Sequence, residues 1–209
     1  MLLRRRMLEG FVALAAGLGL SRLAAAVALS ATPAQTAGPF YPVTLPADSD
    51  NDLIHVTGRE GTAKGTVTQV SGRILDRDGH PISGAQVEIW QCDANGRYHN
   101  VRDDRSGPLA DENFQGYGQT TTDTTGGYHF LTIRPVPYPG RTPHIHFAVS
   151  APGFSRFITQ MYVAGEPQNA RDGVLMSVHD PAARARLIVQ LHPAAEPGTL
   201  AGNFDIVLG

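Results

Sequence analysis

From Gly65 onward, short runs of alternating and β-branched residues are closed, roughly every ten residues, by turns built on Gly, Pro or Asp. A chain punctuated this way has no room for long helices and must fold as sheets joined by tight turns. Thr66 to Asp76 (TVTQVSGRILD) alternates and runs into Asp78-Gly79, a hairpin-type signal. Ala85 to Gln91 (AQVEIWQ) puts Val87 and Ile89 on one face, after which Ala94-Asn95-Gly96 reverses the chain. Gly127 to Ile133, His144 to Ser150, Phe157 to Val163, Arg186 to Leu191 and Phe204 to Leu208 read as further strands. About seven such strands predict an all-β fold, an antiparallel β-sandwich. The 23 glycines and 15 prolines agree with that turn density. Only Asp180 to Arg186 has a helical pattern, and Asn100 to Gln119 reads as a long polar loop. Loops of that length in small domains commonly carry function.

Ahead of the sandwich lie two segments of different character. Arg4-Arg5-Arg6 precedes an apolar run from Phe11 to Leu20 and small residues at Ala24-Ala25-Ala26, the layout of an export signal over residues 1–31. Consecutive arginines before an apolar run resemble the twin-arginine type, so export to the periplasm is expected. Residues 32–64 read as an N-terminal arm, with Gln35 to Pro42 extended over the domain of residues 65–209. A net charge of −2 and the lack of a basic surplus argue against nucleic acid as a partner. Cys92 is the single cysteine, so no disulfide forms within the chain, and its expected role is a small apolar filler near a strand end.

The chemistry concentrates in Pro143-His144-Ile145-His146-Phe147. On a strand, His144 and His146 share one side, while Ile145, Phe147 and Val149 share the other and read as core. Two imidazoles held that way suit a metal ion equally well as they suit a hydrogen-bonded buried pair. Two phenols sharpen the choice: Tyr98 follows the Gly96 turn, and Tyr138 stands between Pro137 and Pro139, which stiffen its backbone. Phenolate is a hard donor known on iron. The competing readings are a zinc hydrolase that adds Glu88 or Asp123 to the histidines, and a non-catalytic, prealbumin-like metal-binding module.

In order along the chain, Val70-Ser71-Gly72-Arg73-Ile74, Val87-Glu88-Ile89, Gly96-Arg97-Tyr98, Gly127-Tyr128-His129-Phe130, Thr132-Ile133-Arg134-Pro135, Tyr138-Pro139, the His144 segment and Ile158-Thr159-Gln160-Met161-Tyr162 resemble the intradiol ring-cleavage dioxygenases. Gln35-Thr36-Ala37-Gly38-Pro39 is similar to the arm of that family. The resemblance implies non-haem Fe(III) held by Tyr98, Tyr138, His144 and His146. It further implies Arg141 beside the metal and Gln160 beside the ring of a small aromatic diol, which O2 cleaves between its hydroxyl-bearing carbons. Homologous chains paired as homo- or hetero-oligomers are implied too. One departure stands out: only Gly140 separates Tyr138-Pro139 from Arg141, where the family carries a longer loop. A carboxylate on the substrate would want a cationic partner, with Arg102, Arg105 and Arg134 as candidates.

Overall fold

The computed structural model describes residues 28–209; the expected export signal lies almost wholly outside the described residues. The elements, in chain order, are β1 (Val67–Leu75), β2 (Gln86–Trp90), β3 (Tyr117–Thr121), β4 (Gly127–Ile133), β5 (His144–Ser150), β6 (Phe157–Val163), α1 (Gly173–Met176), α2 (Pro181–Ala185), β7 (Ile188–Val189), β8 (His192–Pro193), β9 (Leu200–Asn203) and β10 (Ile206–Val207). A single turn of 3-10 helix, Pro167–Arg171, leads into α1.

Two five-stranded sheets face each other. One is ordered β3-β2-β5-β6-β7; the other is built on β1, flanked by β4 along one edge and by β9 and β10 along the other, with β8 outside β9. Between them lies the main apolar core, including Val70, Ile74, Val87, Ile89, Phe130, Ile145, Phe147, Val149 and Met161, all fully buried. Removing each such side chain from water stabilises the fold by about 1.5–3 kcal/mol. Period-two alternation decides the rest. With Ile145, Phe147 and Val149 turned inward, His144 and His146 must point to the outer face of their sheet.

That outer face is buried as well, because chain from outside the sandwich covers it. Trp90, Cys92, Tyr98, Tyr117 and Ala148 form a second apolar cluster, against which Ala37, Phe40 and Tyr41 of the N-terminal segment pack. The segment is fastened by hydrogen bonds from Gln35 N–H to Ile158 C=O (2.8 Å), from Thr159 Oγ1 to Pro33 C=O (2.8 Å) and from Asn100 Nδ2 to Phe40 C=O (2.9 Å).

The fold is an all-β sandwich, with four corrections to the sequence expectation. It is not wholly antiparallel: β9 and β10 run parallel to β1, and β7 runs parallel to β6. Tyr117 to Gln119, expected in a loop, begins strand β3, whose register against β2 is complete from Tyr117 to Thr121. Gly118 permits this, since a Cβ there would lie 2.4 Å from Asp50 O. The expected strands at 186–191 and 204–208 shrink to Ile188–Val189 and Ile206–Val207, while β8 and β9 were not expected at all. Helix α2 matches the expected helical stretch, but α1 is additional; Asp172 caps it by accepting from Val174 N–H and Leu175 N–H.

At the bend between β9 and β10 the close approach explains one glycine. Phe204 N–H donates to Ser71 C=O, and a Cβ on Gly72 would lie 2.1 Å from Phe204 O. No other residue type fits there.

Candidate metal centre

Strand register builds the floor of the site. Trp90 stands opposite His146, and His146 opposite Gln160, so these three form one row across β2, β5 and β6. One step along, His144 stands opposite Tyr162. Trp90 stacks on the His146 ring at 4.8 Å and 5°. The indole thereby fixes the plane of the imidazole.

Two turns deliver the phenols. Asp93 N–H bonds Arg97 C=O and Gly96 N–H bonds Asp93 C=O, a tight reversal in which Gly96 has φ of 73°. Tyr98 follows directly, and its N–H donates to Asp103 Oδ2 at 2.8 Å. Tyr138-Pro139-Gly140-Arg141 closes with Arg141 N–H donating to Tyr138 C=O at 2.9 Å, and Gly140 has φ of 83°. Proline second and a left-handed glycine third is the signature of a type II turn. Its effect is to place Arg141 beside the Tyr138 ring.

The four expected ligands come together. Ring centroids lie 4.8 Å apart for His144–His146, 5.5 Å for Tyr138–His144, 5.7 Å for Tyr98–Tyr138 and 6.4 Å for Tyr98–His146. His144 Nε2 and His146 Nε2 are 3.2 Å apart. His144 Nδ1 sits 2.6 Å from Thr142 C=O and donates to it, which leaves the Nε2 lone pair facing the cluster. Burial, reinforced by the Arg141 charge, holds the His144 pKa down at about 4, and burial with His144 beside it drives His146 well below the ordinary range. Both rings are neutral donors at neutral pH.

These groups fit a hard metal ion. Metal–nitrogen bonds of about 2.1 Å put adjacent ligand nitrogens roughly 3 Å apart, as the two Nε2 atoms are. Tyr98 Oη and His146 Nδ1 are buried without a hydrogen-bond partner, and an unpartnered buried oxygen at a convergence of lone pairs suits a donor to a cation. Burial, with Tyr138 next to it, pushes the Tyr98 pKa far above that of a free phenol, so only a strong local positive charge would ionise it.

Arg141 and Gln160 join the same site through a network. Arg141 donates from Nε to Asp172 Oδ2 (2.9 Å), from one terminal nitrogen to Gln160 Oε1 (2.6 Å), and from the other to Tyr138 Oη at a long 3.5 Å. Gln160 donates onward to Thr36 C=O at 2.8 Å, and Tyr162 Oη donates to Gln35 Oε1 at 2.5 Å. Burial raises the Tyr138 pKa, while the Arg141 charge opposes that rise.

Several participants were not singled out from sequence. Asp172 sits on no periodic element, and its value lies in contacts 30 and 31 residues away. Phe40 stacks on Tyr98 at 4.6 Å. Arg105, named above as a candidate cation for a substrate carboxylate, has its guanidinium 4.7 Å from the Tyr138 ring centre. Gly38 brings backbone so near that a Cβ would lie 3.4 Å from His146 Cε1.

Glu88 and Asp123 do not join the histidines. Glu88 accepts from Tyr41 Oη (2.6 Å), Tyr117 Oη (2.7 Å) and Arg156 (2.7 Å). Burial works to raise its pKa, but those three donors outweigh it and hold the carboxyl below its usual range. Asp123 is spent on its own turn, accepting from Thr125 and Gly127 N–H. Neither is free to complete a zinc hydrolase. Asp76, Asp78 and His80 also converge, but at an exposed turn where Asp76 Oδ1 already accepts the N–H groups of Asp78 and His80. Cys92 is the buried filler expected, its thiol pushed up to about 12 by burial and the Asp93 charge.

The Dioxygenase family model (Dioxygenase_C) matches residues 36–209. The chain is 41% identical over 169 residues to the protocatechuate 3,4-dioxygenase beta chain of Burkholderia cepacia, covering 76% of this chain and 71% of that one. It belongs to the intradiol ring-cleavage dioxygenase family. Hydroxyquinol 1,2-dioxygenase of Corynebacterium glutamicum is 32% identical over 183 residues, of which this chain covers 77% of its own length but 56% of the relative's. Among solved structures, the dioxygenase domain of a dioxygenase–carbohydrate-binding fusion from Streptomyces sp. SirexAA-E superposes with a TM-score of 0.64 at 31% identity, covering 86% of this chain and 98% of that domain. Catechol 1,2-dioxygenase from Acinetobacter sp. ADP1 gives 0.64 at 26% identity, covering 85% of this chain and 62% of that one. These intradiol relatives give no support to a non-catalytic binding module.

Proposed function

We propose that this intradiol dioxygenase holds non-haem Fe(III) with Tyr98, Tyr138, His144 and His146 and uses O2 to cleave a catechol-type ring between its two hydroxyl-bearing carbons, giving a cis,cis-muconate-type diacid. The observation that carries the reading is the meeting of two imidazole Nε2 atoms 3.2 Å apart with two phenols, one of them buried and unpartnered. When bound, ferric iron supplies the Lewis acidity that ionises the diol and opens its ring to oxygen.

The chain's own residues divide the remaining work. Tyr138 is half-buried beside open space, so its phenolate oxygen is the group placed to take a proton from the incoming diol. Arg141 is held from one side by Asp172 and from the other by Gln160, and its fixed positive charge stabilises anionic oxygen developing at the ring. Gln160 has its carbonyl taken by Arg141 and its amide by Thr36, so it forms a rigid edge against the substrate. Phe40 and Trp90 dry the inner side by stacking on Tyr98 and His146.

Metal analysis with an optical spectrum and oxygen uptake tests this. The expected result is stoichiometric iron, a red-brown phenolate-to-ferric absorption that vanishes when the iron is chelated, and O2 consumed on adding catechol or hydroxyquinol. Colourless protein loaded with zinc overturns it. Export through the Arg4-Arg5-Arg6 signal belongs to the same proposal, supported by the sequence layout of residues 1–31; retention of the full-length chain in the cytosol after Arg5→Lys with Arg6→Lys checks it. Pairing with a homologous chain is supported by the beta-chain name of the Burkholderia cepacia relative.

A further inference from the structure

The short turn at Gly140 leaves open ground next to the site. A cleft of about 480 Å³ runs from Tyr138, Pro139, Gly140 and Arg141 to Gln168, Arg171 and Asp172 on the 3-10 turn that precedes α1. Pockets in the range of roughly 300–1,000 Å³ bury ligands larger than a single ring. A diol seated against Tyr138 therefore has space beyond its ring on this side.

The charges lining that space are unequal. Arg141 and Arg171 contribute two positive charges and Asp172 one negative, a local balance of 2 − 1 = +1 in a chain whose net charge is −2. Asp172 and Arg141 are already committed to each other. Asp172 Oδ2 accepts from Arg141 and Thr142, and Oδ1 accepts from Val174 and Leu175. Arg171 is different: it is exposed, and among the described residues its side chain makes no ion pair and no hydrogen bond. The other candidate cations are taken or lie outside this cleft. Arg105 is paired with Asp103, Arg134 is paired with Glu166, and Arg102 does not line this space.

Resting on the ring-cleavage reading above, we infer that Arg171, with Gln168 beside it, selects diols whose ring carries an anionic substituent directed away from the hydroxyls. The guanidinium offers forked N–H donors that match a carboxylate, and Gln168 adds an amide donor one helical turn away. Arg171 touches the substituent and not the reacting carbons, so it sets preference among diols. Because it is solvent-exposed, its effect is moderate and weakens with salt.

The test compares iron-loaded full-length protein with Arg171→Gln and Arg171→Glu on vicinal dihydroxybenzoate, its neutral dihydroxybenzamide and cationic dopamine. The expected result is a benzoate-over-benzamide ratio of kcat/KM that drops about fivefold in Arg171→Gln, and a preference turned toward dopamine in Arg171→Glu. Raising the salt concentration should erase the wild-type preference. Ratios identical in all three proteins overturn the inference. Calorimetric titration of the same proteins with dihydroxybenzoate and dihydroxybenzamide separates the two readings. If wild-type protein binds but cleaves none of the diols, ring cleavage falls, and the binding ratio alone then decides the role of Arg171: lost in Arg171→Gln it stands, unchanged it falls.

Discussion

Asp172→Asn removes one carboxylate charge at the edge of the site. The Asp172 side chain has 0% exposure and its partner Arg141 only 14%, with Nε to Oδ2 at 2.9 Å. Asn fits the same space and caps helices about as well as Asp, so the N-cap on α1 largely survives. What is lost is the negative charge opposite a guanidinium that cannot leave, together with the oxygen that accepts from Arg141 Nε and Thr142 N–H. Breaking a buried ion pair costs about 3–5 kcal/mol. Arg141 keeps Gln160 and some access to water, so about 2–3 kcal/mol is the reasoned loss here. For a chain of this length that lowers the melting temperature by about 4–12 °C. The pH dependence carries the sign. Burial tends to raise the Asp172 pKa, but the N–H groups of Leu175 and Thr142 and the Arg141 charge outweigh it, so the folded value lies below the ordinary one. Stability from such a group is complete above the unfolded pKa of about 3.9 and is lost as pH falls through the folded value. Wild type and variant should therefore differ fully at neutral pH and converge in acid. Thermal melts across that range read it directly. A variant as stable as wild type at neutral pH, or a gap that persists below both pKa values, refutes the reasoning.

Two further substitutions probe the centre itself. Tyr98→Phe removes a buried hydroxyl with no partner, so metal-free protein should be unharmed or gain about 1 kcal/mol, while iron-loaded protein loses the share of its colour and of its thermal gain from metal that Tyr98 supplies beside Tyr138; a metal-free variant clearly weaker than wild type counts against this. Gly38→Ala puts a side chain at φ of +65° and 3.4 Å from His146 Cε1, costing about 1–2 kcal/mol, so limited proteolysis should cut the segment around residue 38 faster, and an unchanged cutting rate would contradict its close seating.

How much of this could be read from sequence depends on how local each cause is. Alternation around Ile145, Phe147 and Val149 was enough to aim His144 and His146 the same way, because side-chain direction on a strand is a nearest-neighbour property. Pro139-Gly140 likewise spells out the turn that sets Arg141 beside Tyr138. The misses share the opposite trait. Strands β8 and β9 are two and four residues long and exist only as additions to strands already in place, so they leave no periodic trace, and the expected strands around β7 and β10 shrink to two residues each. Strand β3 carries Gly118 and polar residues, and its pairing with β2 decides its state where local pattern does not.

The same distinction explains the site. The four expected metal donors were legible because each belongs to a local motif, but what holds them apart from water and in charge balance is assembled from distant chain. Gln35 reaches Tyr162 across 127 positions, Asn100 reaches Phe40 across 60, and Asp172 reaches Arg141 across 31. None of these partners has a spacing that could announce it. The cation left over at Arg171 is less visible still, since it is defined by the pairing of its neighbours. An arginine in sequence is one of many; it stands out as a candidate anchor once Arg105 and Arg134 are seen to be spoken for by Asp103 and Glu166. In this chain the candidate chemistry is written in local motifs, and the candidate anchor follows from which charges remain after the fold has paired the others.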